Sequence, residues 1–318
     1  MNNVWRHHPC NTGTAVILTL MPSEVPLERP PASEAGRVEM TPRPVPLVRV
    51  IQPRRGWLAV NVAELWAYRS VLLILIRRDL KVRYAQTALG AGWAVLQPVI
   101  PMVIFTIVFG RLGKMPSDGV PYALFALAAL VPWTYFSTSV LGATTSLISN
   151  PELVTKVYFP RLAIPLALVL GALVDFGIGL LLLLVLLLAH GTPPRPSALL
   201  IIPLLVVLMV MMAAGCGFWL SALSARYRDV KHVMPVVLQV LMYASPVVYP
   251  SSLVPAPYRT LYSINPLVGV IDAFRAALLH TKMTDPLTLL IGSAVSVALL
   301  VSGALFFRRT ERLFADVL

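Results

Sequence analysis

NPELVTKVYFPRLAIP, residues 150–165, separates two of the longest apolar runs in the chain and itself carries Glu152, Lys156, Arg161 and three prolines. Residues 122–148 before it and 163–189 after it each have the length and apolar character of a bilayer span, which takes roughly 20 residues at 1.5 Å per residue. The stretch therefore reads as a loop between two membrane helices, and the composition agrees. Of 318 residues, 57% are hydrophobic and only 13% charged, where a soluble domain carries about one quarter. The net charge of +12 does not point to nucleic acid. Nucleic-acid binders gather Lys and Arg on one solvated face, whereas here the basic residues flank apolar segments, as topology determinants do. Cys10 and Cys216 have neither metal-ligand spacing nor a disulfide pattern, and no metal site is expected.

Six segments reach spanning length: 92–110, 122–148, 163–189, 197–221, 233–250 and 286–307. The expected fold is all-α, a polytopic membrane protein with six transmembrane helices over residues 92–318. Prolines 98, 101, 203, 235 and 246 fall inside these spans and predict kinks, since neighbouring helices or water can satisfy the freed carbonyls. Residues 57–91 precede the spans as an amphipathic region. Within them ELWAYRSVLLILIRRDLKVRY, residues 64–84, is too short to cross and carries five charges in seven residues, which suits a helix along the membrane surface. Residues 1–56 are Pro- and Arg-rich without sustained periodicity and read as a flexible tail. Its TAVILTLM imitates a signal peptide, but with a short core and no small-residue cleavage site; a start of translation at Met40 is another reading of the same tail.

Counting Lys and Arg near the spans gives thirteen on the side of residues 69–83, 156–161, 226–231 and 308–312, against six on the other. The positive-inside rule then places both termini in the cytoplasm. Residues 251–285 become the one long outer segment, where PLVGVIDAFRAALL after Asn265 forms a short helix dipping into the outer leaflet.

Asn150-Pro151 has the form of a helix start, with Asn capping free amides and Pro at the first helical position. About two turns would follow, ending near Phe159 before Pro160, with Leu153, Val154, Val157 and Tyr158 on one face. That face either docks a partner or packs on the chain's own helices. In the second loop of this side Arg226, Arg228 and Asp229 offer an ion pair, or simple anchoring. Asp175, mid-span, lines a pathway, serves as a proton site, or makes a structural bond between helices. Trp93, Trp133, Tyr135, Tyr243 and Tyr249 can stack on a sugar or anchor at the interface. No HExxH, GxSxG or GxxxxGK[ST] occurs, so no catalytic constellation is expected and any energy from ATP enters through another chain.

RRDLKVRYAQTALGAGWAVLQPVIPMVIFTIVFGRL (77–112), VYFPRLAIP (157–165), RYRDVKHVMPVVLQVLMYASPVVYP (226–250) and INPLVGVIDAFRAAL (264–278) resemble, in order, the permeases of type 2 ATP-binding-cassette exporters, most closely the subgroup exporting O-antigen, teichoic acid and other polysaccharides. The resemblance covers about residues 60–318; the tail before them is longer than the pattern. It implies a homodimer of six-span subunits in the bacterial inner membrane, each with a separate ATPase that binds ATP and Mg. It implies also a polysaccharide substrate on a polyprenyl pyrophosphate or similar lipid carrier, and short re-entrant helices, here with Asn265, Pro266 and Arg275, at the external mouth. By the same resemblance residues 150–161, from Asn150 and Glu152 through Lys156 to Arg161, are the coupling helix seated on the ATPase. Residues 64–84 resemble the interface helix, where Arg77, Arg78, Asp79, Lys81, Arg83 and Tyr84 lie at the level of the carrier headgroup.

Overall fold

The computed structural model describes residues 62–311 apart from 86, 88, 91, 157–158 and 282–284. The expected tail, the face residues Val157 and Tyr158, and the chain end beyond residue 311 lie outside the described residues. Among those described the fold is all-α, and they belong to one compact unit, Val60–Leu318.

Two helices, α1 (Val62–Ala67) and α2 (Arg69–Tyr84), come first. The first expected span is α3 (Gly92–Phe105), prolonged by a π-helical segment, Thr106–Leu112. Then follow α4 (Tyr122–Thr145), the short α5 (Pro151–Lys156), α6 (Ala163–Ala189), α7 (Ala198–Arg226), α8 (Val230–Tyr243), α9 (Arg259–Ser263), α10 (Pro266–Leu279) and α11 (Pro286–Thr310). Among the described residues five helices are long and apolar enough to cross a bilayer: α3 with its continuation, α4, α6, α7 and α11.

The span expected at 233–250 differs. Its helix, α8, has 14 residues and stops at Tyr243, a length of about 21 Å against some 30 Å of hydrocarbon. Pro246 is the reason: it has no N–H to continue the ladder and disfavours helical geometry at Ser245. The proline that sequence suggested as a kink is a stop, and residues 244–249 form turns and bends instead. Prolines 98, 101, 132, 203 and 235 do lie inside helices.

The hub is α4, with 17 of its 24 residues buried. It packs on α3, α6, α7 and α10. The closest pairing is between α7 and α11, where small residues let the backbones approach. A Cβ added at Gly303 would lie 2.3 Å from the Gly215 carbonyl oxygen. Beside this contact Trp219 stacks on Phe306 with ring centroids 4.0 Å apart and donates to the Ser302 hydroxyl at 3.2 Å.

Helix α10 matches the short helix expected after Asn265. Asn265 Oδ1 accepts the Leu267 N–H at 3.1 Å, its amide donates to Ser245 at 2.9 Å, and Pro266 takes the first position. Twelve of its 14 residues are buried.

Candidate functional site

The ends of α4, α7 and α11 meet the starts of α5, α6 and α8 at one end of the molecule, the end expected to face the cytoplasm. The Ser224 hydroxyl donates to the Thr144 carbonyl, and Arg161 Nη1 donates to the carbonyl of Glu311 at 2.8 Å. Residues 150–161 are therefore tied at their far end to the last turn of α11. Phe159 is buried and Leu153 packs partly on the core, whereas Glu152 is exposed.

Helix α5 begins where Asn150-Pro151 predicts, but the described bonds of the Asn150 side chain differ from the cap that the pattern suggests. Its Oδ1 accepts from Arg78 Nη2 at 2.6 Å and its amide donates to the Ser146 carbonyl at 2.9 Å. The competing donor comes from α2, 72 residues earlier. A charge-assisted bond of this kind is about twice as strong as a neutral one.

Helix α2 packs along α6. Its Leu75 is buried against the core, with Val71, Leu72 and Ile76 alongside. Arg83 joins two carboxylates, donating through Nη2 to Asp79 at 2.7 Å and through Nη1 to Asp175 at 2.6 Å, and the Tyr84 hydroxyl donates to the same Asp175. Of the open readings of Asp175, the structural bond between helices is the one formed. Arg83, half-buried, is committed to these acids and Arg78 bonds Asn150, which leaves Arg69, Arg77 and Lys81 as the other exposed cations of α2. Next to Asp175, a crevice of about 10 Å³, room for about one water, is bordered by Gln97, Thr134, Tyr135 and Thr138.

The remaining candidates separate by burial. Trp133 and Tyr135 are 6% and 2% exposed. Trp133 packs on Phe136, while Tyr135 lies edge-on to Phe176 and donates to the Val169 carbonyl. Neither presents a face to a passing sugar in this conformation; both belong to the core of the α4 hub. Trp93 and Tyr243 are exposed, and Tyr249 bonds to the Tyr243 carbonyl and to the Tyr262 hydroxyl. Asp229 forms no ion pair with Arg226 or Arg228 among the described residues; Arg226 lies over the Tyr227 ring, 5.4 Å from its centroid.

What the sequence did not reveal is the setting of Arg275, which it assigned to the external re-entrant segment. The side chain is 2% exposed and sits 3.6 Å over the ring of Phe125. It donates to the carbonyls of Phe125, Val247 and Tyr249 at 3.3, 2.9 and 3.5 Å, with Asp272 at 3.9 Å. Burial lowers its pKa to about 10, with Asp272 pulling it back up, so it remains a cation at pH 7. Tyr122 donates to the Val248 carbonyl at 2.7 Å, so α4 and α10 together hold the turn that follows α8. A signal was present: Asp272 and Arg275 are the two charges of an otherwise apolar 14-residue helix, three residues apart and so on one face.

The family model described as ABC-2 type transporter matches residues 70–279. Among curated relatives, the O-antigen export system permease protein RfbA of Myxococcus xanthus is 30% identical over 257 residues, covering 80% of this chain and 98% of that protein. The O-antigen export system permease protein RfbA of Klebsiella pneumoniae is 26% identical, covering 78% and 95%. The polysialic acid transport protein KpsM of Escherichia coli is 23% identical, covering 74% and 92%.

Proposed function

This chain belongs to the ABC-2 type transporter family, and from that premise we propose that it is the membrane permease subunit of an ATP-driven exporter of a lipid-linked polysaccharide across the bacterial inner membrane. The observation that carries the reading is similarity running almost the full length of permeases named for O-antigen and polysialic acid export. In this reading two copies of the chain form the channel, with α8 and residues 244–250 together making the fifth of six crossings in each copy. Each copy binds a separate ATPase, which supplies ATP and Mg, and both termini lie in the cytoplasm. The exposed apolar faces of α3 with its continuation and of α8, including Ile104, Ile107, Val236 and Val240, suit lipid and the second copy.

The proposed cycle begins with ATP drawing the two ATPases together and displacing residues 150–161. The contact shifts the channel's equilibrium only if the ATPase binds its two states unequally. Loss of the gene should abolish surface glycan and leave lipid-linked glycan on the cytoplasmic face. Unchanged surface glycan, with altered efflux of a drug or small lipid, would favour an exporter of that other class. A proton-coupled transporter using Asp175 fits less well, since its carboxylate is already bonded to Arg83 and Tyr84.

Two further outcomes follow from this reading. Leu153→Asp should abolish co-purification with the ATPase from detergent while the chain still inserts and stays monodisperse; retained assembly would move the contact to α2 or to residues 226–230. On α2, Arg77→Gln with Lys81→Gln should weaken binding to nanodiscs carrying a pyrophosphate lipid roughly 30-fold, at about 1 kcal/mol per basic residue. Unchanged binding would remove the headgroup role from this helix.

A further inference from the structure

Asp175 lies twelve residues into α6 from Ala163, about 18 Å along the helix. It is level with Tyr135, near the middle of α4, because Tyr135 packs edge-on against the next residue, Phe176, at 5.7 Å. A carboxylate among apolar helices at that depth is costly unless paired, and every described partner of Asp175 comes from the end of α2. Arg83 and Tyr84 hold one oxygen each. Asp79, which shares Arg83, lies one turn back, and its Oδ2 is 3.2 Å from where a Cβ on Gly171 would sit. Residues 79 and 83 of α2 thus stand beside 171 and 175 of α6, matched turn for turn.

The other attachment of α2 is to the loop. Arg78 donates to Asn150, the residue that opens α5. The helix therefore has one polar bond to residues 150–161 and, five residues on, another to the middle of a spanning helix. Against the spanning helices the other contacts of α2 run through apolar side chains, among them Leu72, Leu75 and Ile76. Apolar burial is non-directional and tolerates sliding, whereas charge-assisted bonds fix a geometry. The ion pair is what holds one register between α2 and α6.

We infer that Asp175 is a positioning residue for coupling: by fastening Arg83 and Tyr84 it makes α2 a strut that carries a displacement of residues 150–161 to the crevice between α3, α4 and α6. The inference rests on the permease reading, because the partner ATPase supplies the displacement. It deepens that reading by giving α2 a transmitting role. Gln97, Thr134 and Thr138, which border the crevice beside Asp175, are the first polar groups to feel a shift of α6.

The test uses the full chain with its ATPase in proteoliposomes, measuring assembly, ATP hydrolysis and glycan exported per ATP. Asp175→Asn keeps the shape and an acceptor for Tyr84 but removes the ion pair, and Arg83→Gln removes it from the other side. Both variants should assemble and hydrolyse ATP within about twofold of wild type, yet export per ATP should fall at least tenfold. Exchanging the charges, Arg83→Asp with Asp175→Arg, keeps two carboxylates around one guanidinium and should restore most of the coupling. Wild-type export per ATP in the assembled single variants overturns the inference and leaves the permease reading standing. Loss of assembly or early melting in both, unrelieved by the exchange, overturns it also, assigning the pair to fold stability alone. A wild-type chain that exports no glycan while its ATPase is active overturns the permease reading itself.

Discussion

Gly215→Val should lower the melting temperature of the detergent-solubilised chain by about 10 °C. A Cβ at this position meets the backbone of α11 at 2.5 Å from the Leu299 carbonyl carbon and 2.6 Å from the Leu300 nitrogen. Backbone cannot rotate away as a flexible side chain can, so α7 and α11 must part. Overpacking typically costs about 1–3 kcal/mol, and the upper end applies where the obstacle is main chain. At two to four degrees per kcal/mol for a chain of this size, that is roughly 6–12 °C. Separation also removes the Trp219–Phe306 stack and the Trp219–Ser302 bond. Gly303→Ala attacks the same contact from the other helix and should behave alike. Gly177→Ala is the control, since no heavy atom lies within 4 Å of its added Cβ. A Gly215→Val protein melting within a degree of wild type would show that the pair is not closely packed.

The spans were legible because their signal is local: about 20 apolar residues suffice, whatever they face. What each span does with its polar or aromatic residues was not, because the deciding partner is distant in sequence. Asp175 admitted several readings until Arg83, 92 residues earlier, was beside it. Trp133 and Tyr135 read from sequence as aromatics that stack on a sugar or anchor at the interface, and only the placement of α4 at the hub makes them core. The two Asn-Pro pairs show the same limit within one local code. Asn265 caps α10, while the Asn150 side chain is engaged by Arg78 of α2. Pro246 was ambiguous in another way. A proline inside a span kinks the helix when neighbours satisfy the freed carbonyl, and ends it when the chain has a turn to enter. Residues 244–250 enter one that Arg275 and Tyr122 hold by its carbonyls.

Arg275→Met should cost more than any other single change at that end of the molecule, about 3–5 kcal/mol, because it leaves Asp272 as a buried acid without its cation. It also strips donors from the carbonyls of Phe125, Val247 and Tyr249. Arg275→Lys should recover only part of the loss. A lysine keeps the charge but lacks the planar fork that reaches acceptors on α4 and on the 247–249 turn together, and its compact ammonium is poorly suited to the face of Phe125. Pairing Arg275→Met with Asp272→Asn separates the two contributions. If the ion pair dominates, removing both charges restores most of the stability, since a buried pair replaced by neutral groups is often close to neutral. If the carbonyls dominate, as three acceptors against one ion pair at 3.9 Å suggest, the double variant stays near the Arg275→Met value. Thermal melts of the four proteins decide between these outcomes, and a wild-type melt for Arg275→Met would sink both. The carbonyl result has a consequence for transport. The turn after α8 would then be held to α10 chiefly by Arg275 and to α4 by Tyr122, so any motion of α8 that opens a path must either carry α10 and α4 with it or first break those bonds.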